Sequence, residues 1–128
     1  MANTMILDIL TAVEGIPVDS APAGATVVVA VRLKNITSFT NYIAVTGAYD
    51  SAQLIFSPAY YNTGPNQTAY FEVSFVMPGK DVLVWIAGGY WDSNYGDIVY
   101  ESYMEKQLLL QAAAPQFYDF RIAQYQKL

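Results

Sequence analysis

The sequence predicts an all-β chain folded as one antiparallel sandwich of two sheets, and three observations carry that prediction. Apolar residues make up 54% of the 128 residues but fall into short stretches. That is enough for one ordinary core and far short of the ~20 consecutive residues that a membrane-spanning helix needs. Several segments alternate apolar and polar residues strictly, the period of a strand with one buried face. Turn and breaker residues recur about every 8–12 positions, the punctuation of a sandwich.

The elements follow in chain order. Met5 to Val13 reads as the first strand, closed by Gly15, Pro17, Pro22 and Gly24, residues that turn or break a strand. Thr26 to Asn35 is the clearest strand: Val27, Val29, Val31 and Leu33 share one face, and Val28, Ala30, Arg32 and Lys34 share the other. Asn41 to Asp50 carries Tyr42, Ile43, Val45 and Tyr49, and Gln53 to Phe56 is a shorter strand stopped by Ser57-Pro58. Tyr60 to Asn66 reads as a loop, because Asn62, Thr63, Gly64, Pro65 and Asn66 favour turns. Thr68 to Met77 sets Phe71, Val73 and Phe75 against Tyr70, Glu72 and Ser74. Pro78-Gly79 makes a turn into Asp81 to Trp91, where Val82, Val84 and Ile86 oppose Leu83 and Trp85. Trp91 to Asp97 is a hairpin loop, and Ile98 to Gln111 closes the domain as a strand rather than a helix.

Ala112-Ala113-Ala114-Pro115 reads as a linker. Beyond it, Gln116 to Leu128 alternates again, with Tyr118, Phe120 and Ile122 on one face. An unpaired strand of this kind would expose a hydrophobic edge. It is therefore expected to fold back, to join a neighbouring chain, or to open the next repeat of an array. The expectation is thus an immunoglobulin-like antiparallel β-sandwich of about seven strands over residues 1–111, with a linker and an extra C-terminal strand over 112–128.

Composition narrows the function. Net charge is −5, and the six cationic residues are scattered. No basic patch is available to neutralise phosphates, so neither nucleic acid nor an anionic membrane surface is expected as a partner. With no cysteine and no histidine, disulfides, thiolate metal sites and the commonest general base are excluded. The N-terminal residues show neither the basic nor the apolar region of a signal peptide, and the domain is expected to be soluble.

Ala21-Pro22-Ala23-Gly24-Ala25-Thr26-Val27 through Asn35 resembles the opening of CARDB-type and related bacterial immunoglobulin-like modules, where a Pro-x-Gly turn leads into an alternating strand ending in Asn. Phe71 to Val82, with Met77-Pro78 between two strands, is similar to another stretch of such modules. The resemblance covers residues ~20 to ~90 at the level of pattern. It implies an adhesive or structural module.

Candidate sites are few. Asp92, Asn94 and Asp97 place oxygen ligands at near-alternate positions, with Glu101 nearby, as a calcium loop would. The pattern departs from that of an EF-hand, and a polar hairpin tip is the preferred reading. Metal and cofactor are therefore both expected to be absent. Asn35-Ile36-Thr37 and Asn66-Gln67-Thr68 match the glycosylation acceptor pattern. Asp50, Glu72, Asp81 and Glu101 have no spacing that forces two carboxylates into one cleft, and no nucleophile elbow or triad is present. No catalysis is expected.

The aromatic residues carry more information. Eleven tyrosines and two tryptophans accompany only 13% charged residues, the bias of an interface core. Tyr90, Trp91 and Tyr95, together with Tyr118, Phe120 and Ile122, are the expected interaction residues. The expected function is non-enzymatic: a virion structural subunit (minor capsid, decoration or fibre base) acting through protein–protein contacts as a homo-oligomer. The alternative is a carbohydrate-binding or adhesive module at a cell surface, using a glycan patch of Tyr90, Trp91 and Tyr95.

Overall fold

The computed structural model describes residues 2–112, so Tyr118, Phe120, Ile122 and the extra strand expected at 116–128 lie outside the described residues. Ten strands follow in order: β1 (Thr4–Val13), β2 (Ile16–Pro17), β3 (Ser20–Ala21), β4 (Thr26–Asn35), β5 (Asn41–Tyr49), β6 (Ala52–Leu54), β7 (Tyr60–Thr63), β8 (Thr68–Val76), β9 (Val82–Asp92) and β10 (Asp97–Leu110). One sheet has the order β2-β1-β4-β8. The other has the order β3-β10-β9-β5-β6, with β7 also paired to β5. Setting β1, β4 and β8 against β10, β9 and β5 is the immunoglobulin-like partition of a sandwich.

The alternation read from the sequence is the alternation that packs. Val27, Val29, Val31 and Leu33 of β4 face Val82, Val84 and Ile86 of β9, and all are buried. Ile6, Ile9, Ile43, Val45, Phe71 and Leu108 complete the core. The ring of Tyr49 stacks on Phe75 at 4.2 Å between centroids. On the outer face of the four-stranded sheet, both Arg32 and Asp8 are about half exposed. The Arg32 guanidinium, hydrogen-bonded to Asp8, holds that carboxyl below its ordinary pKa. At this exposure such a pair contributes little to stability.

Two parts of the chain depart from expectation. The segment Tyr60 to Asn66 is not all loop: β7 pairs antiparallel with β5, Tyr60 opposite Ala44 and Thr63 opposite Asn41. Tertiary burial overrode local turn preference. Thr63 is buried, and the Tyr61 ring meets Phe71 at 5.1 Å. Only the part beyond Thr63 turns, through Asn66 in the left-handed region at φ 61°.

The breaker-rich stretch after β1 also contains strands. Glu14 and Gly15, at φ 51° and 78°, form the two-residue hairpin turn whose twist matches that of its flanking strands. That turn lets Ile16-Pro17 pair back onto β1. Ser20-Ala21 then crosses to the other sheet and pairs parallel with the end of β10, so the sandwich is antiparallel except at this edge.

The sheets are fastened at one corner by a carboxylate. A register shift between Tyr100 and Ser102 marks a bulge in β10, and bulges re-aim side chains. Glu101 is turned onto the start of β1. Its Oε2 accepts from the backbone N–H of Asn3 (2.8 Å), the N–H of Thr4 (2.7 Å) and the Thr4 hydroxyl (2.8 Å). Ser102 donates to the Thr4 carbonyl at 3.0 Å. Replacing Glu101 with alanine strips a charged acceptor from three donors and is expected to cost about 2–3 kcal/mol. The Gln variant, which keeps one carbonyl oxygen, should recover part of that. Urea midpoints for the two variants test this, and an Ala variant with an unchanged midpoint would show that the clamp is idle.

Asn35, the strand-ending residue of β4, is 1% exposed and uses its whole amide. Nδ2 donates to the carbonyls of Phe39 and Thr63, both at 2.9 Å. Oδ1 accepts from the Thr37 N–H at 3.0 Å and the Thr37 hydroxyl at 2.6 Å. The Asn35-Ile36-Thr37 acceptor pattern is therefore a closed structural knot with no amide free to carry a glycan.

Candidate interaction surface

The two outer faces of the sandwich differ in kind. Strand parity and register assign the rows on the six-stranded sheet, because residues opposite each other in a ladder point to the same side. One row runs Tyr60–Ala44–Gly89–Tyr100 across β7, β5, β9 and β10. The next runs Thr46–Ala87–Tyr103, followed by Ala48–Trp85–Glu105. Towards the hairpin end, Trp91 stands opposite Ile98, and Tyr42 opposite Asn62.

Tyr42, Tyr60, Trp85, Trp91, Tyr100 and Tyr103 are all exposed on this one face. Ala44 and Ala87 lie between them and are buried, overlain by the rings that the register sets beside them. Within these rows the only charge is Glu105, near the sheet edge. The outer face of the other sheet instead carries Asp8, Arg32, Lys34, Tyr70 and Glu72.

The rings are held in order. Trp85 stacks on Tyr103 at 5.9 Å and 26°, and the Tyr103 hydroxyl donates to the Tyr100 carbonyl at 3.1 Å. Tyr42 and Tyr60 meet edge to face at 5.8 Å and 79°. Asn41 Nδ2 donates to the Trp91 carbonyl at 2.9 Å, and Asn41 Oδ1 accepts from the Tyr42 N–H at 2.8 Å, which braces β5 against β9. Beside this brace is a cleft of about 540 Å³ lined by Tyr42, Tyr60, Trp91, Asp97 and Ile98. Burial and the neighbouring Asp97 charge push the Tyr100 phenol above its ordinary pKa.

The residues singled out from the sequence are separated. Trp91 belongs to the aromatic face. Tyr90 points the other way and packs on the core edge. Burial, with the charges of Asp92 and Glu101, raises the Tyr90 phenol. Tyr95 stands at the hairpin tip, 75% exposed. The three do not form one patch, and the partners of Trp91 are instead Tyr42 and Tyr60. Strand parity marks Tyr42 and Trp85, since each flanks inward-facing β-branched residues; Tyr60 stands out in the sequence as a surface aromatic, but its turn-rich neighbours hide its pairing with β5.

The acidic groups serve the backbone. Asp92 Oδ1 accepts from the N–H groups of Asn94 (2.9 Å) and Tyr95 (3.2 Å), and Asp97 Oδ1 accepts from Ile98 at 2.7 Å. Asp92, Asn94 and Asp97 thus build the hairpin turn, while Glu101 is engaged at β1. Asp50 accepts from the Leu83 N–H and Asp81 from the Leu110 N–H. Among the described residues, no three acidic side chains gather where they could hold a metal ion.

No family model matches the chain, and no curated protein matches it. Among solved structures, a FixG-related protein from Vibrio parahaemolyticus is similar at 6% identity and a TM-score of 0.48, over 88% of this chain and 100% of that one. The ASH / PapD-like domain 7 of human CEP192 is similar at 12% identity and a TM-score of 0.49, over 84% of this chain and 87% of that one. No functional residue is carried over from either.

Proposed function

We propose that this chain is a non-enzymatic assembly subunit that binds a second copy of itself through the outer face of its six-stranded sheet. The observation that carries this reading is the gathering of six exposed aromatic side chains on one nearly uncharged face. From Leu83 to Trp91 the face runs ~30 Å, and four strands give it a width of ~15 Å. That is on the order of 500 Å² in projection, among the larger apolar patches that monomers expose and roughly two-thirds of one side of a standard interface. Tyr and Trp are also the side chains that interface cores favour.

A non-catalytic role is supported by the engagement of Asp8, Asp50, Asp81, Asp92, Asp97 and Glu101 in structural contacts. Within the class of assembly proteins, a virion subunit is the finer reading. A charge-poor sheet face suits a neighbour in a regular shell. An adhesive or glycan-binding module, as the CARDB-like resemblance implies, is the second reading, favoured by the ring-lined cleft at Trp91.

The solution mass of the purified chain tests the proposal. The full chain should form a defined oligomer at micromolar concentration, and Trp85→Glu, an outward-facing change, should leave a folded monomer. A chain ending at residue 114 should still associate if the sheet face is the contact. If truncation abolishes the oligomer and Trp85→Glu does not, strand exchange by Gln116 to Leu128 replaces the sheet face as the connector.

A further inference from the structure

The cleft at the hairpin end of the aromatic face has a composition that self-association does not require. Three electron-rich rings, those of Tyr42, Tyr60 and Trp91, line it together with one carboxylate, Asp97. The register that pairs Ile43 with Tyr90 carries Tyr42 to the level of Trp91, and β7 brings in Tyr60 from the far side of β5. Because Tyr42 and Tyr60 meet edge to face, their rings cannot both lie flat in the sheet surface. The Asn41 bridge to the Trp91 carbonyl fixes the two central strands against each other. The backbone that carries Tyr42 and Trp91 is therefore braced.

Charge points to the sign of the occupant. Asp97 uses Oδ1 on the Ile98 N–H, and its other oxygen has no partner among the described residues. Asp92 and Glu101 add negative charge at the same end of the sandwich. The described cations are elsewhere: Arg32 pairs with Asp8, Lys80 with Asp50 and Lys106 with Asp19, while Lys34 lies on the other sheet. The cleft is thus aromatic, negative and without a neutralising partner among the described residues.

We propose that this cleft binds an alkylated ammonium group, a quaternary or methylated amine on an aliphatic stem. Ring faces attract such a cation through their quadrupoles, most strongly where water is excluded. The Asp97 carboxylate adds a Coulombic attraction, and Ile98 covers the stem. A neutral sugar could stack on the same rings and reach the two phenols and the indole N–H, but it makes no use of the Asp97 charge, which favours a cation. The cleft is argued separately from self-association, but Tyr42, Tyr60 and Trp91 are also three of the six rings of the proposed contact face. A second copy and the cation therefore compete for them, and the titration is run at a concentration where the chain is monomeric.

The test uses the full chain with Trp85→Phe, which leaves Trp91 as its single tryptophan. Choline, Nε-trimethyl-lysine as its N-acetyl methylamide, and the neutral isostere 3,3-dimethylbutanol are each titrated against Trp91 fluorescence. Both cations should give saturable changes, with the isostere at least about tenfold weaker. Asp97→Asn, which keeps the Oδ1 acceptor for Ile98, should weaken the cations about fivefold and leave the isostere unchanged. Tighter binding of trimethyl-lysine would place the cation on a partner polypeptide, and tighter binding of choline would make it a small molecule; either supports the site. No saturation by 20 mM, on the order of the weakest affinity worth calling a site, overturns it. So does an isostere equal to choline, or saturable binding of simple sugars in place of the cations. A chain that binds the cations yet stays monomeric at micromolar concentration would refute self-association alone.

Discussion

Asn35→Ala is expected to destabilise the domain by about 2–3 kcal/mol, because it removes a buried amide that makes four hydrogen bonds and leaves the Thr63 carbonyl without its side-chain donor. The Thr63 carbonyl loses a buried donor and the Thr37 N–H loses its acceptor, while the Thr37 hydroxyl still donates to the Phe39 carbonyl. No water can replace the amide easily, since the side chain is sealed between the end of β4, the loop to β5 and the end of β7. Asn35→Asp should be nearly as damaging, as a carboxylate would face two carbonyls and cannot donate to them. Asn66→Gly is the matched control. It lies in the other acceptor pattern at positive φ, where glycine is at ease, and should change stability by less than about 0.5 kcal/mol. Urea midpoints for the three variants decide the matter. An Asn35→Ala midpoint near that of Asn66→Gly would mean the knot is dispensable.

Gly89→Ala is expected to cost at least about 3 kcal/mol or to prevent folding, beyond ordinary overpacking. A Cβ there would collide with the backbone carbonyl of Val99 and crowd the Tyr100 Cα, and backbone cannot rotate aside as a side chain can. The collision falls beside the bulge that aims Glu101 at β1, so the register of the β9–β10 hairpin would be lost along with the clamp. Gly79→Ala provides the contrast. No atom lies within 4 Å of its added Cβ and its φ is not positive, so restricting the unfolded chain should leave it neutral or slightly stabilised, by about 0.4–1 kcal/mol. Thermal unfolding of the pair measures the difference. Gly89→Ala folding with unaltered stability would falsify the close approach of β9 and β10.

Much of the fold was legible before any tertiary contact was known. Val27 to Leu33 and Val82 to Ile86 announced their buried faces because alternation is a property of one strand and burial follows from it. The turns at Glu14-Gly15 and at Asp92 to Gly96 were legible as turns for the same local reason. β7 was not, because Asn62, Gly64 and Asn66 favour turns locally, whereas Tyr61 and Thr63 gain from burial against elements far away in sequence. Nor could the parallel contact of Ser20-Ala21 with β10 be foreseen, as two residues carry no periodicity.

The interaction surface divides in the same way. An excess of tyrosine with little charge was visible in composition, and it pointed to a surface that binds. Which aromatic side chains act together is not visible there, because nearness in sequence, as of Tyr90, Trp91 and Tyr95, does not place residues on one face. In a strand, adjacent residues face opposite sides, so Tyr90 went to the core edge and Trp91 to the outer face. The two-sheet class, the inward residues of each long strand and the aromatic, acidic character of the chain follow from local pattern alone. The side-by-side placement of β5, β7, β9 and β10, which brings Tyr42, Tyr60 and Trp91 together beside Asp97, is a property of the folded molecule. Strand neighbours are chosen by long-range packing and by backbone pairing, which no single segment encodes.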